Sequence, residues 1–238
     1  QELANEYLAE QGITILNDVT LNSVSNDGNK PVITANNQNY TFDAVLYATG
    51  RRPNTTNIGL ENTDITTNER GAIDVNDTCE SSVPGIYAVG DVNGGPQFTY
   101  ISLDDFRIVF GALTGNGHYT LKVRKNIPYT TFLTPPLARV GLTEQEAINK
   151  GYTVKTNELL VATMPRAHVN DNLKGAFKIV VNTENNLILG ATLYSQSAEE
   201  LINLIKMAMD NNIPYTYFKN QIFTHPTMAE NLNDLCNF

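Results

Sequence analysis

The chain has 238 residues, enough to bury a core and to form one or two domains. Its 41% hydrophobic and 17% charged content is that of a globular protein in water, and a formal net charge of −9 argues against nucleic acid or an anionic membrane as partner. No apolar run approaches the roughly 20 residues that span a bilayer, no secretory signal is evident, and two cysteines with three histidines give no zinc-ligand spacing.

In chain order, Leu3, Ala4, Tyr7 and Leu8 recur at helical spacing, and Gly12 ends that helix. Residues 13–16 read as a short buried strand. Residues 19–24, 31–35 and 40–42, separated by Asn/Asp/Gly-rich breaks, read as a small antiparallel meander. Residues 43–50 form a continuous apolar run ending in Gly50, the signature of a strand buried on both faces of a parallel sheet. Residues 85–91, ending Gly90-Asp91, have the same form. Ser102 is placed to cap a helix over about 103–113, with Phe106, Val109, Phe110 and Leu113 along one side. Residues 116–126 read as a polar linker.

Beyond it the pattern changes. Strands are expected at 129–133, 138–142, 158–164, 176–182 and 187–194. Thr143…Glu146 and Ser197…Glu200 each read as a capping box. The helix after Ser197 buries Leu201, Leu204, Ile205 and Ala208, and Pro214 opens a further helix. The stretch Met164–His168 reads as a loop with no assigned role. Strands followed by helices make this half an α+β unit.

Among groups able to carry chemistry, His225 and Glu230 stand out. An imidazole beside a carboxylate, on a segment stiffened by Pro226, can form an acid/base dyad. Thr227…Glu230 equally fits the capping box of a short C-terminal helix. Asp91, at the carboxyl end of an apolar strand, is either a turn residue or an acceptor for sugar-like hydroxyls. The helix after Thr99–Ser102 offers an N-terminus suited to an electron-rich ligand atom. Arg51 and Arg52 read as a solvated pair rather than a phosphate clamp. Gly115-Asn116-Gly117 has no preceding strand and is no dinucleotide fingerprint. Cys236 is an idle tail thiol rather than a reactive one, and a reduced pair with Cys79 suits a cytoplasmic protein.

Four stretches in order carry a resemblance. They are Asp43 to Asn54 (Asp-x-Val-Leu-x-Ala-Thr-Gly-Arg-x-Pro-Asn), Gly85 to Asp91, Thr134 to Thr143, and His225-Pro-Thr-x-x-Glu230. Together they resemble the flavin-dependent pyridine nucleotide–disulfide oxidoreductases, the group of glutathione reductase, dihydrolipoamide dehydrogenase and mercuric reductase. Gly94–Arg107 with Gln221–Pro226 is nearest in form to the bacterial branch linked to reactive-chlorine and hypothiocyanous acid resistance.

The resemblance implies an α/β remnant followed by an α+β interface domain with an antiparallel sheet and helices. Residues 1–46 would close an NAD(P)-binding domain, 47–117 would be the returning segment of an FAD-binding domain, and 118–238 would be the homodimerisation (interface) domain. It implies FAD and NAD(P)H as cofactors and a small oxidised molecule as substrate. The implied FAD-binding set is Thr49, Gly50, Arg51, Gly90, Asp91, Gln97, Phe98, Thr99 and Tyr100, with Asp91 on the ribityl chain and residues 97–100 near the isoalloxazine. Many members carry His in that last segment, where this chain has Tyr100. His225, oriented by Glu230, would serve the cysteines of a partner subunit. The G-x-G-x-x-G fingerprints and the Cys-x4-Cys pair of the family do not occur in this sequence. The chain is therefore expected to be the C-terminal portion of a longer enzyme; alternatively, as it stands, it is a non-catalytic homodimerisation module.

Overall fold

The computed structural model describes residues 2–238 and falls into two compact units, one running to residue 123 and the other spanning 124–238. In the first, helix α1 (Glu2–Glu10) ends at Gly12, whose φ of 79° takes the left-handed conformation that glycine tolerates. Strands β1 (Leu21–Asn26), β2 (Pro31–Ala35) and β3 (Gln38–Thr41) form the expected antiparallel meander. The β2–β3 hairpin closes on Asn36-Asn37, both at positive φ, with Ala35 opposite Gln38. Asparagine tolerates that conformation, and the two-residue turn matches the twist of the strands.

Three expected strands are not formed. Residues 13–16 and 43–50 are irregular and exposed, with Leu46 89% and Tyr47 79% accessible. Apolar, β-branched sequence favours the extended state, but a strand exists only where a neighbour completes its hydrogen-bond ladder, and no described strand lies alongside these runs. Residues 85–91 make one antiparallel bridge, Glu80 with Tyr87, and then tighten into a 3-10 turn over Gly90–Asn93. Helix α2 (Thr99–Thr114) starts earlier than expected. Phe98 is its N-cap and Ser102 lies inside it. Its buried residues are Ile101, Asp105 and Ile108, while Phe106, Phe110 and Leu113 are exposed.

The second unit is a five-stranded antiparallel sheet in the order β4 (Tyr129–Thr131), β5 (Leu137–Gly141), β8 (Ile188–Tyr194), β7 (Ala176–Asn182), β6 (Val154–Leu160). Helix α5 (Ala198–Asp210) packs on β8 and β5. Helices α6 (Tyr215–Asn220) and α7 (Leu232–Leu235) pack on each other, and α7 also on β6 and β7. Phe177, Ile179 and Leu193 from the sheet meet Ile202, Ile205, Leu232 and Leu235 from the helices in one core. Gly141 and Gly190 face each other in register, and a Cβ on Gly190 would collide with the Leu142 backbone.

Thr143 forms its capping box with Glu146 at the start of α3 (Glu144–Asn149). Ser197 does not. It sits at φ 65° and its side chain caps nothing. The nearby hydroxyl of Ser195 donates to the Gln196 carbonyl at 2.9 Å. Met164–His168 is not a loop: Pro165–Val169 is a short helix, α4, with proline at its first turn. Both cysteines are buried and neither is in a disulfide. Among the described residues no helix is long and apolar enough to cross a membrane, and no three His, Cys, Asp or Glu are placed to hold a metal ion.

Candidate functional site

In the first unit, the 3-10 turn at Gly90 delivers Asp91 to the head of α2. Gly90 has a φ of 74°, and a Cβ there would stand 2.5 Å from Ser102 Oγ, so only glycine lets the turn approach the helix this closely. The turn is tied down from inside by Asp105, which is fully buried. It accepts from the Gly90 N–H at 2.7 Å and from Asn93 Nδ2 at 2.9 Å. Sequence reasoning missed Asp105; an acid on the same helical stripe as Ile101 and Ile108 was the available signal.

Around this turn Arg51 joins two other residues of the expected cofactor set, Asp91 and Gln97. Arg51 Nη1 lies 3.4 Å from Asp91 Oδ2, and Arg51 Nη2 donates to the Gln97 carbonyl at 2.9 Å. Arg51 is thus engaged rather than merely solvated. The Phe98 and Tyr100 rings stack with centroids 5.0 Å apart and planes 8° apart. Burial pushes the Tyr100 phenol above its ordinary pKa. Thr99 opens α2, whose first turn has no side-chain cap. Thr49 and Gly50 are exposed, Gly50 at φ 107° with open space where a Cβ would stand. The surface therefore presents an acceptor carboxylate, an arginine, stacked aromatic rings and a helix N-terminus together. Such a set suits an electron-rich, hydroxyl-bearing aromatic ligand.

In the second unit the segment between α6 and α7 carries the other pair. His225 Nδ1 lies 2.7 Å from Glu230 Oε2. The Glu230 carboxyl is held below its ordinary range: burial raises it, but hydrogen bonds from His225 and from the Thr227 N–H, with the His225 charge, outweigh that. A carboxylate only accepts, so the proton between the two groups sits on Nδ1, and Nε2 is the ring nitrogen not committed to Glu230. The His225 side chain is 69% exposed and that of Glu230 only 18%. The carboxylate is the fixed partner and the ring the accessible one. The capping geometry is present as well. Glu230 Oε1 accepts from the Thr227 N–H at 3.0 Å, and Thr227 Oγ1 accepts from the Glu230 N–H at 3.2 Å. The two readings of this motif coexist because each carboxylate oxygen serves one of them. A cleft of about 510 Å³ lined by Lys125, Lys150, Asn182 and Asn212 lies in the same unit but takes in neither His225 nor Glu230.

Neither cysteine is a redox group in this structure. Both are fully buried, and burial pushes the Cys236 thiol up to about 12, far from the thiolate that redox exchange needs.

Comparison with known proteins bears on both sites. Residues 1–105 match the model of the pyridine nucleotide-disulphide oxidoreductases, and residues 127–236 match that family's dimerisation domain. RclA of Escherichia coli K12, described as a probable pyridine nucleotide-disulfide oxidoreductase, is 43% identical over 96% of this chain and 52% of its own length. A mercuric reductase of Staphylococcus aureus is 36% identical over 97% of this chain and 43% of its own. The structure of the HOCl-induced flavoprotein disulfide reductase RclA from Escherichia coli superposes with a TM-score of 0.94 at 41% identity, covering 99% of this chain and 54% of that one. The chain spans about half the length of the curated relatives it matches. Matched by models of one family on both sides of residues 106–126, it belongs to the pyridine nucleotide-disulphide oxidoreductases.

Proposed function

We propose that this chain acts as the C-terminal half of a FAD- and NAD(P)H-dependent reductase of a small oxidised substrate. That substrate is a disulfide or another oxidant such as oxidised sulfur, hypothiocyanous or hypochlorous acid, or a metal ion. The observation that carries the reading is the His225–Glu230 pair at 2.7 Å within a dimerisation domain of this family. Bound FAD would supply the relay of electrons from NAD(P)H to a cysteine pair outside this sequence. Asp91 would accept hydrogen bonds from ribityl hydroxyls, Arg51 would hold Asp91 and the Gln97 backbone in place, and Thr49, Gly50, Gly90 and residues 97–100 would line the cofactor. His225 would hold or deliver a proton at Nε2, toward the cysteines and substrate of a partner subunit, while Glu230 fixes the ring. The layout we propose gives residues 1–46 to the NAD(P)-binding domain, 47–117 to the FAD-binding domain and 118–238 to a homodimer interface. The compact unit from residue 124 supports the last boundary. A cytoplasmic setting fits two cysteines that form no disulfide.

Rapid mixing on the intact enzyme tests this. His225→Ala should slow reoxidation by substrate about 10²- to 10⁴-fold, the usual worth of a positioned proton donor, and leave flavin reduction by NAD(P)H near normal. If both half-reactions survive unchanged, the dyad is structural.

One observation favours a second reading for the chain taken alone, as a non-catalytic dimerisation module: neither of its cysteines is an accessible thiol. Sedimentation of the 238-residue chain should then show dimer without NAD(P)H-dependent turnover. Monomer at high micromolar concentration counts against it.

A further inference from the structure

The hydrogen bonds around His225 do not stop at Glu230. The carboxylate is gripped on its second oxygen by the Thr227 N–H. Thr227 Oγ1 is used twice: it accepts from the Glu230 N–H at 3.2 Å and donates to the Thr224 carbonyl at 2.8 Å. That hydroxyl therefore closes the turn carrying His225 and pins the residue whose carboxylate faces the ring. Behind it Asn231, 2% exposed, donates through Nδ2 to the carbonyls of Thr227 and Met228, both at 3.1 Å.

We infer that Thr227 is the positioning residue of the dyad: its N–H holds Oε1 of Glu230 and its hydroxyl pins the Glu230 backbone, so that the carboxylate stays against the ring and keeps the proton of neutral His225 on Nδ1. A carboxylate free to rotate about its last torsion would present either oxygen over a broad range of angles. With Oε1 held by the Thr227 N–H, Oε2 is directed at the ring. The inference rests on the dyad reading, and it separates Thr227 from a residue that only caps a helix. A cap affects stability; a positioning residue also sets the Nδ1–H to Nε2–H ratio.

Nitrogen-15 NMR of the imidazoles in the 238-residue chain reads that ratio directly at alkaline pH. Only His118, His168 and His225 contribute signals. The wild-type chain should hold His225 mainly as Nδ1–H. Thr227→Val keeps the shape and removes the hydroxyl, and should lower the ratio about two- to tenfold, the factor that one net hydrogen bond represents. Thr227→Ser should restore it. Glu230→Gln is the control for the pair itself. A ratio unmoved by Thr227→Val but moved by Glu230→Gln overturns the inference and leaves the dyad standing. A ratio unmoved by either overturns both. Should Thr227→Val lose its circular dichroism, Thr227→Ala carries the same comparison. If both unfold while Thr227→Ser folds, Thr227 is a fold determinant and the inference fails.

Discussion

Glu230 is the residue at which the hydrogen bonds of the C-terminal segment converge, and its charge has a consequence for stability. Its folded pKa lies below the ordinary 4.5, so the carboxylate contributes stability above that value and loses it as pH falls through the folded pKa. The melting temperature of the wild-type chain should therefore drop as pH falls below about 4.5 more steeply than that of Glu230→Gln. Parallel curves for the two proteins would show that the pair adds nothing in the folded state. The His225…Glu230 spacing made this pair legible in the sequence, and so did the Thr227…Glu230 cap. What spacing alone could not say is that both form at once, since that depends on each carboxylate oxygen finding its own donor. Asp105 was not legible for a different reason. Its partners, the Gly90 N–H and Asn93, lie 15 and 12 residues away and meet it only through the 3-10 turn.

Elements followed the sequence where their partners are local or present. The β2–β3 hairpin and the Thr143 cap depend on turns and hydrogen bonds within a few residues, β7 has both of its partner strands present, and all three match the pattern closely. Residues 43–50 and the Phe106, Phe110 and Leu113 side of α2 carry the apolar signal of buried structure yet are exposed, because no described element covers them. The Ser197 box fails on backbone grounds. An N-cap needs extended dihedrals to aim its oxygen at the helix N–H groups, and Ser197 is left-handed. The two boxes therefore predict different mutants. Thr143→Ala should cost about 1 kcal/mol, the usual worth of a working cap, whereas Ser197→Ala should change stability by no more than a few tenths. Urea denaturation of the two variants decides it, and equal losses would mean that Ser197 caps α5 in solution.

At the scale of the whole chain, order is unevenly supported. The core of Phe177, Leu193, Ile202, Ile205, Leu232 and Leu235 lies entirely in residues 124–238, where β8 and β7 are central strands paired on both sides. Residues 13–16 and 43–50 have neither a ladder nor a covered side chain. Amide exchange follows local opening. Groups in a buried ladder exchange only through rare, large openings, and unladdered exposed groups exchange almost freely. Hydrogen–deuterium exchange on the 238-residue chain should thus show β7, β8 and α5 protected longest and residues 43–50 labelled at the earliest time points. The experiment also tests the apolar run itself. If 43–50 were as protected as β8, those side chains would be covered in solution by a second copy of the chain, and dilution would then release the protection. If dilution left it intact, the run would be paired within one chain and the exposed arrangement of 43–50 would be wrong.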